Sequence, residues 1–404
     1  MGSTTPGPES RPSGDLASQT MRFRAWLVDH ALPMWSTDGV DGQGGFIEQF
    51  DLNGRPEPDV VRRIRVQARQ IYVFSQATLL GLGDYRDLVR AGVDWLVAHG
   101  WDGDEGGFFH RLAGSGEPAD TAKDTYDHAF ILFGLAHAMR ILPDAKVTGA
   151  LERTLSFVEA RLVAPDGVGF LEGVPAKLPR RQNPHMHLLE AFLAIHDATG
   201  DARHLTSADR IVEMFRTRFF NPVTETLTEF FTDDWAPAGD GAGDIVEPGH
   251  HFEWTYLLHA HAAAHAPRER HAEPGAEANQ VFEVALARGL DPVSGLAYDE
   301  IWREGGVKSA TKRCWAQTEA LRAHALMARH SPVLAPRAAA FVDRLFRFYL
   351  DPAPRGGWLD VMGPDNQPTA KAIPASTLYH LMSAYAFIAQ DMDPDVDPQR
   401  ARPS

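Results

Sequence analysis

Apolar residues recur at spacings of three and four positions in about twelve windows of the chain, which is the pattern of amphipathic helices. The windows cover roughly residues 16–34, 60–81, 84–99, 121–141, 145–162, 182–199, 202–218, 247–266, 274–288, 310–330, 334–349 and 373–390. Short links such as Gly81–Asp84 and Thr199–Asp201 join each even-numbered window to the next, with a glycine that ends one helix and an aspartate that starts another. Links of about twenty to thirty residues join each odd-numbered window to the following even one.

This alternation of short and long links predicts an all-α fold, an (α/α)6 barrel with six inner and six outer helices. The even-numbered windows are the candidates for the inner ring, because segments such as Ala129–Ala136 are apolar around most of the helix. The odd-numbered windows carry a polar face, as in Arg86–Arg90. All six long links would then lie at the N-terminal ends of the inner helices, and loops on a rigid scaffold are where functional sites usually lie.

A turn followed by an apolar residue recurs once in each long link. The apolar members are Phe46, Phe108, Phe170, Leu227, Leu296 and Trp358, with steps of 57 to 69 residues. A period of this length indicates one supersecondary unit copied six times. Functional residues are therefore expected at the same place in each copy.

Charge and cysteine content narrow the class of protein. The net charge of −15 disfavours a nucleic-acid surface, which requires clustered lysine and arginine. No apolar run approaches the roughly 20 residues that span a bilayer. The one cysteine, Cys314, excludes a disulfide framework and fits a reducing compartment; a buried core thiol is favoured over a nucleophile. We expect a cytoplasmic monomer or homodimer that binds neither nucleic acid nor membrane.

The two ends of the chain differ in composition from the rest. Residues 1–15 are rich in proline, glycine, serine and threonine and predict a disordered tail. Residues 391–404 have the same character and predict a C-terminal tail. Residues 16–390 are expected to form a single barrel domain.

Six residues near the start of the even-numbered helices share one phase of the repeat. They are Arg69, Tyr126, His187, His250, Trp315 and His380. Equal phase in a closed repeat predicts that they converge on one pocket, and polar groups on an apolar inner surface are costly unless a wet cavity satisfies them. Each also has an ordinary structural interpretation: Arg69 could pair with Glu253 or Asp127, and the others could be satisfied core residues.

This set suits proton transfer next to a carbonyl group. Two imidazoles can exchange protons near neutral pH. Glu253 follows His250 by one helical turn and could orient or tune an imidazole. Arg69, helix N-termini and tyrosine hydroxyls can donate to a developing oxyanion, and Trp315 or Trp254 can stack on a sugar. The chemistry indicated is removal and return of a proton through an enediolate.

The same residues resemble the N-acylglucosamine 2-epimerase superfamily, which includes mannose isomerases, sulfoquinovose isomerase and cellobiose 2-epimerases. The resemblance spans about residues 20–390 and is carried by Arg69, Asn183 with His187, Pro248-Gly249-His250 with Glu253-Trp254, Trp315 and Tyr379-His380. It implies a metal-free and cofactor-free 1,2-proton transfer on an open-chain monosaccharide. In that resemblance His380 is the base at C2 and His250 the partner acid/base, which also opens the ring. The residues implied to bind the sugar are Arg69, Tyr126, Asn183, His187, Glu253 and Trp315.

Within the superfamily, the Glu247–Trp254 segment is most similar to the aldose–ketose isomerase branch. This favours interconversion of D-mannose and D-fructose. Residues 233–247 hold five acidic residues and neither lysine nor arginine, which disfavours a sulfonated or phosphorylated sugar. A sugar 2-epimerase of the mannose/glucose, N-acylglucosamine or cellobiose type remains the alternative.

Three further functions are open from the residues alone. A glycoside hydrolase would need two carboxylates, for which Asp124 or Asp127 with Glu253 are candidates. A non-catalytic sugar-binding protein is the second. A metal site is the third, because His261 and His265, or His185 and His187, are closely spaced; neither pair has a recognisable third ligand, so no metal is predicted.

Overall fold

The computed structural model describes residues 14–266 and 274–396. Within them the chain forms twelve α-helical segments in two rings. The inner helices are α3 (Ile64–Leu79), α5 (Thr125–Ile141), α7 (Asn183–Thr199), α9 (Pro248–His265), α11 (Cys314–His330) and α13 (Thr377–Met392). The outer helices are α1 (Leu16–Trp26) continuing into α2 (Leu32–Thr37), α4 (Arg86–Trp95), α6 (Ala145–Phe157), α8 (Ala202–Met214), α10 (Ala276–Arg288) and α12 (Ala335–Arg344).

The inner ring is closed. Each inner helix contacts the next inner helix in the chain, and α13 contacts α3. Each outer helix packs on the inner ring, as α6 does on α5 and α12 on α11. The predicted (α/α)6 barrel is therefore confirmed, and the even-numbered windows do form its inner ring. Among the described residues no helix is both long and apolar enough to cross a membrane.

Short strands form a collar at the N-terminal ends of the inner helices. Each of these helices directly follows a strand, and that strand pairs antiparallel with a strand in the next long loop. The closing pair joins the last loop to the first, with Gln49 opposite Pro374. The strands are β1 (Gln49–Phe50), β2 (Arg62–Arg63), β3 (Arg111–Leu112), β4 (Pro118–Asp120), β5 (Lys123–Asp124), β6 (Gly173–Val174), β7 (Arg180–Arg181), β8 (Phe220–Asn221), β9 (Thr226–Leu227), β10 (Phe230–Phe231), β11 (Ile245–Val246), β12 (Glu300–Trp302), β13 (Val307–Ser309), β14 (Lys312–Arg313), β15 (Val361–Met362) and β16 (Ile373–Pro374).

These strands correct the predicted helix starts. Residues 60–63, 121–124, 310–313 and 373–376 were expected to be helical but lie in the collar and the turns beside it. At the other end of the chain, α13 runs to Met392, two residues into the predicted C-terminal tail, and Asp393 accepts a hydrogen bond from Tyr385 Oη (2.7 Å). Residues 1–13 and 397–404 of the predicted tails lie outside the described residues.

The recurring turn is held by a side chain from the following inner helix. In five copies a buried glutamine or histidine accepts the backbone N–H of the turn's apolar residue; the pairs are Gln67 with Phe46, His128 with Phe108, His185 with Phe170, His251 with Leu227 and Gln317 with Ala297. The fifth turn therefore has Ala297 as its equivalent member, one residue after the predicted Leu296. Burial lowers the pKa of His128, His185 and His251 to about 4 each, so these imidazoles are neutral acceptors.

Glutamine and histidine should be exchangeable at this position. His128 Nε2 accepts from Phe108 N at 3.0 Å and Nδ1 contacts Asp124 O at 2.7 Å, and a glutamine amide can do both. We expect His128→Leu to be less stable than His128→Gln by about 1–3 kcal/mol, because leucine leaves a buried N–H without an acceptor. Denaturant unfolding of both variants measures this difference, and equal stabilities would contradict the assignment.

Candidate active site

The structure brings the six in-phase side chains together at the N-terminal end of the inner ring, beside the collar. This end of the ring is called the mouth. Arg69 Nη2 donates to Tyr126 Oη at 2.8 Å. The Tyr126 ring lies 5.0 Å from that of His187, measured between centroids. On the other side the Trp315 ring contacts both His250 (5.2 Å) and His380 (5.6 Å). These contacts place both histidines beside one indole.

His250 lies in the first turn of α9 against two carboxylates. Its Nδ1 is 2.9 Å from Glu229 Oε2 and 4.0 Å from Glu247 Oε2. Gln182 Nε2 also donates to Glu229 at 2.8 Å, and Trp254 Nε1 donates to Gln182 Oε1 at 2.7 Å. This chain of hydrogen bonds holds the Glu229 carboxylate in position. Burial alone would lower the pKa of His250, but the charges of Glu229 and Glu247 outweigh it and raise that pKa to about 9.

His380 lies in the first turn of α13 against a carboxylate whose negative charge is compensated by an arginine. Its Nδ1 is 2.8 Å from Glu319 Oε1, while Arg322 Nη1 donates to Glu319 Oε2 at 2.8 Å. Burial lowers the pKa of His380 to about 4, and the hydrogen bond to Glu319 offsets only part of this. With Nδ1–H donated to Glu319, Nε2 carries a free lone pair.

The two histidines are therefore held in opposite protonation states near neutral pH. Glu229 and Glu247 keep His250 as an imidazolium, whereas Arg322 takes up the charge of Glu319 and leaves His380 neutral. Environments that drive the pKa values of two groups apart assign them the roles of acid and base. The geometry thus supplies a proton donor and a proton acceptor beside the same tryptophan.

A second buried group surrounds His187. Its Nδ1 is 3.1 Å from Glu190 Oε2 and 3.9 Å from Glu253 Oε1. Tyr379 Oη donates to Glu190 at 2.6 Å. Burial, together with the charges of Glu319 and Glu190, raises the pKa of Glu253 well above its usual range.

Glu253 lies beside a different imidazole from the one that precedes it in the helix. The carboxylate that contacts His250 Nδ1 directly is Glu229. Glu253 Oε1 lies nearest His187 and has no hydrogen-bond partner among the described residues. Trp254 is also unavailable to a sugar, because it is fully buried and bonded to Gln182.

Two other polar side chains lie at the mouth, Asn183 and Arg69. Asn183 Nδ2 is 3.1 Å from His250 Nε2, and Asn183 Oδ1 has no partner among the described residues. Turning this amide by 180° would let the protonated His250 donate to Oδ1. The Arg69 guanidinium lies 4.0 Å above the Phe130 ring and donates to Ser376 O at 3.3 Å. Arg69 forms neither of the ion pairs considered for it, since Asp127 pairs with Arg65 at 2.8 Å.

Candidate residues for a hydrolase, for one of the metal sites and for a cysteine nucleophile are buried, and the first two already have hydrogen-bond partners. Asp127, a hydrolase candidate, is completely buried and bonded to Arg65 and to His110 Nδ1 (2.6 Å). His185 points to the Phe170 turn, so His185 and His187 do not share a ligand. Cys314 is buried and burial raises its thiol pKa well above the usual range, as expected of a core thiol.

Four clusters of side chains among the described residues could donate atoms to a cation. They are His187, Glu190 and Glu253; Glu229, Glu247 and His250; His110, Asp124 and Asp127; and Asp209, His261 and His265. The first two belong to the candidate site, where their carboxylates already accept hydrogen bonds from Tyr379, Gln182 and the imidazoles. The donor set there is that of a proton-transfer network.

Glu229 and Glu319 were not found from the sequence, although Glu229 carries a repeat signal. It stands two residues after Leu227, and the corresponding places after the other turns hold Glu48, His110, Glu172, Asp299 and Asp360. In two other copies this residue binds a collar strand. Glu48 accepts a hydrogen bond from Arg63 N (2.9 Å), and Glu172 accepts one from Arg181 N (2.7 Å). Of these three carboxylates, only Glu229, in the fourth copy, contacts a histidine of the candidate site, His250.

Comparison with known proteins agrees with this geometry. The family model described as N-acylglucosamine 2-epimerase matches residues 45–384. The chain belongs to the N-acylglucosamine 2-epimerase family. Its members act as carbohydrate isomerases or epimerases, and this protein is an enzyme of that class.

Two relatives and one solved structure show how close the family likeness is. A mannose-6-phosphate isomerase of Rhizobium meliloti is 36% identical over 92% of this chain and 96% of its own. A D-mannose isomerase of Thermobifida fusca is 30% identical over 76% of this chain and 79% of its own. A cellobiose 2-epimerase structure from Spirochaeta thermophila superposes with a TM-score of 0.83 at 23% identity, covering 94% of this chain and 97% of that one.

Proposed function

We propose that this family member is an aldose–ketose isomerase that interconverts D-mannose and D-fructose through a cis-enediolate. The observation that carries the proposal is the pair of histidines in opposite protonation states, His250 with a pKa of about 9 and His380 with one of about 4, in contact with one indole. A proton shift between adjacent carbons needs one group to take the proton and one to stabilise the oxygen that becomes charged.

In the proposed reaction His380 Nε2 removes the proton from C2 of open-chain mannose. The C2–H electrons form the C1–C2 double bond, and the aldehyde π electrons move to O1. His250 protonates O1, and the neutral His250 then takes the proton from the C2 hydroxyl as the new carbonyl forms at C2. The proton on His380 then goes to C1, so the product is the ketose and both histidines return to their starting states.

Binding of the open-chain sugar is assigned to the remaining in-phase residues. Arg69 and Tyr126 form one donor group on the wall of the mouth. The Asn183 amide, beside His250 Nε2, and Glu253 Oε1, which has no hydrogen-bond partner among the described residues, are the other polar groups assigned to the sugar. Trp315, which is only partly buried, offers its ring face to the carbon chain between the two histidines.

The charges at the mouth favour a neutral sugar. Arg63, Arg65, Arg181 and Arg313 each pair with a buried or half-buried carboxylate, so their guanidinium groups are already compensated. The alternative of mannose 6-phosphate has support of another kind, the name of the relative from Rhizobium meliloti. A 2-epimerase is the other alternative; it would use the same two histidines but return the proton to the opposite face of C2.

Product analysis separates these functions. The purified protein is incubated with mannose, mannose 6-phosphate, glucose, N-acetylglucosamine and cellobiose, before and after exhaustive treatment with a chelator. We expect fructose from mannose, at equal rates in both preparations, with a higher kcat/KM than for the phosphorylated sugar. Direct formation of glucose would establish epimerisation instead, and hydrolysis of cellobiose would establish a hydrolase.

The pH dependence of the reaction follows from the two histidines. We expect kcat/KM to be level through neutral pH, to fall on the acid side as His380 is protonated near pH 4, and to fall on the alkaline side as His250 loses its proton near pH 9. Initial rates measured across this range, with the folded fraction checked at each pH, test the assignment. A profile governed by one group near the ordinary histidine value of about 6.5 would contradict it.

A further inference from the structure

One histidine–carboxylate cluster lies outside the candidate active site, where the last turns of α9 face α8. His261 Nε2 is 2.7 Å and His265 Nε2 is 2.6 Å from the same atom, Oδ1 of Asp209. The side chains of His265 and Asp209 are nearly half exposed, at 46% and 45%, while His261 is 15% exposed. The cluster therefore combines convergent donor atoms with access from solvent.

The convergence comes from two elements that are distant in sequence. His261 and His265 are four residues apart on α9 and so lie on one face of the helix. Asp209 comes from the outer helix α8, 52 residues before His261. The third ligand that the sequence did not supply for this histidine pair is thus provided by the packing of the two rings.

We propose that Asp209, His261 and His265 bind a divalent transition-metal ion such as zinc, cobalt or nickel. Two imidazole nitrogens with one carboxylate oxygen are donors that suit these ions, and their ligand atoms lie within 4.8 Å of one another. Three protein ligands leave the remaining coordination positions for water. Metal–nitrogen bonds of about 2.0–2.1 Å place ligand atoms about 3.3 Å apart in a tetrahedron, so each imidazole nitrogen has to move about 0.6–0.7 Å from the Asp209 oxygen.

The charges around the cluster are compatible with a cation. Arg216 lines the same cavity, of about 200 Å³, but its Nε pairs with Glu277 Oε1 at 2.5 Å, so its charge is compensated. Asp209 carries the negative charge that the metal would meet. Deprotonation of both imidazoles is needed for binding, and burial lowers the pKa of His261 in that direction.

The position of the cluster indicates a structural role. His261 is eleven residues after His250 on the same helix, which places it about 16 Å away at 1.5 Å per residue. The metal would join α8 to α9 at the far end of the barrel, away from the collar and the two histidines of the mouth. Bound metal should therefore stabilise the fold without changing the rate of the sugar reaction.

Metal titration of the full-length protein tests the proposal. Metal-free protein is titrated with zinc by calorimetry and with cobalt by visible absorption, using wild type, His265→Ala, Asp209→Asn and the control His330→Ala. His330 is an exposed histidine of α11 whose ring lies 5.3 Å from that of His259, and the two form a separate histidine pair on another face of α9. We expect one equivalent to bind to wild type and to the control, and affinity to fall at least about tenfold in the two ligand variants.

Thermal unfolding provides the second readout. Zinc should raise the melting temperature of wild type and of His330→Ala, and the shift should disappear in His265→Ala, whose exposed position leaves folding intact. Sugar turnover should be the same with and without the metal, which separates this result from that of the proposed function. Equal titration curves for wild type and His265→Ala, loss of binding in His330→Ala, or the absence of any saturable binding would overturn the proposal.

Discussion

Replacement of His380 by asparagine is expected to lower kcat for the conversion of mannose by about 10²–10⁴-fold, the usual contribution of a general base. Asparagine keeps a side-chain N–H where His380 Nδ1 contacts Glu319 Oε1 at 2.8 Å. The buried carboxylate thus retains its partner, while the basic Nε2 nitrogen is lost. The variant should fold, bind the sugar and fail at proton abstraction.

The His380 variant is measured by steady-state kinetics and by exchange of the C2 proton with solvent, both of which should fall together. His324→Asn is a matched control, because His324 is buried on the inner helix α11 and its Nδ1 contacts Ala320 O at 2.7 Å, among phenylalanine rings. Its activity should remain near that of wild type. A folded His380→Asn enzyme with more than about a tenth of wild-type activity would remove His380 from the role of base.

Replacement of His250 by asparagine is expected to have an effect of similar size, about 10²–10⁴-fold in kcat/KM, because the acid that protonates O1 and assists ring opening is lost. The asparagine N–H can still reach Glu229, which His250 Nδ1 contacts at 2.9 Å. The remaining activity should lack the alkaline limb of the pH profile. Retention of that limb near pH 9 would show that a different group titrates there.

Glu229→Gln separates the protonation of His250 from its presence. The charge of Glu229 is the main influence that raises the pKa of His250 against the effect of burial. Without that charge the pKa of His250 should fall, so the alkaline limb should move to lower pH while the acid limb, set by His380, stays in place. An unchanged profile in this variant would assign only a packing role to Glu229.

The helical repeat could be predicted from the sequence because its signal is local. Apolar spacing within a helix and glycine–aspartate links between helices appear in any window of the chain, and these placed all twelve helical segments. The collar strands are only two or three residues long and pair with residues in the next copy, as Lys123 does with Val174. A strand of that length has no readable alternation, so the N-terminal boundaries of the inner helices were placed too early.

The candidate site could be predicted in part for the same reason. Phase in the repeat selected the six side chains that the structure brings together, from Arg69 to His380. Their catalytic and binding roles remain predictions. The protonation states were not accessible, because they depend on contacts between residues distant in sequence: Glu229 with His250, and Glu319, itself paired with Arg322, with His380. Helical spacing placed Glu253 one turn after His250 but did not reveal Glu229, a loop carboxylate that contacts His250 Nδ1 directly.

The most direct test of a two-histidine proton transfer is incubation of the enzyme with D-mannose in deuterated water, followed by NMR of the sugars. We expect D-fructose that carries solvent deuterium at C1 in a measurable fraction of molecules, since the proton taken from C2 resides on His380 before it is returned. Two results would contradict a two-histidine proton transfer: the absence of both fructose and C2 exchange, or fructose formed with no deuterium from the solvent.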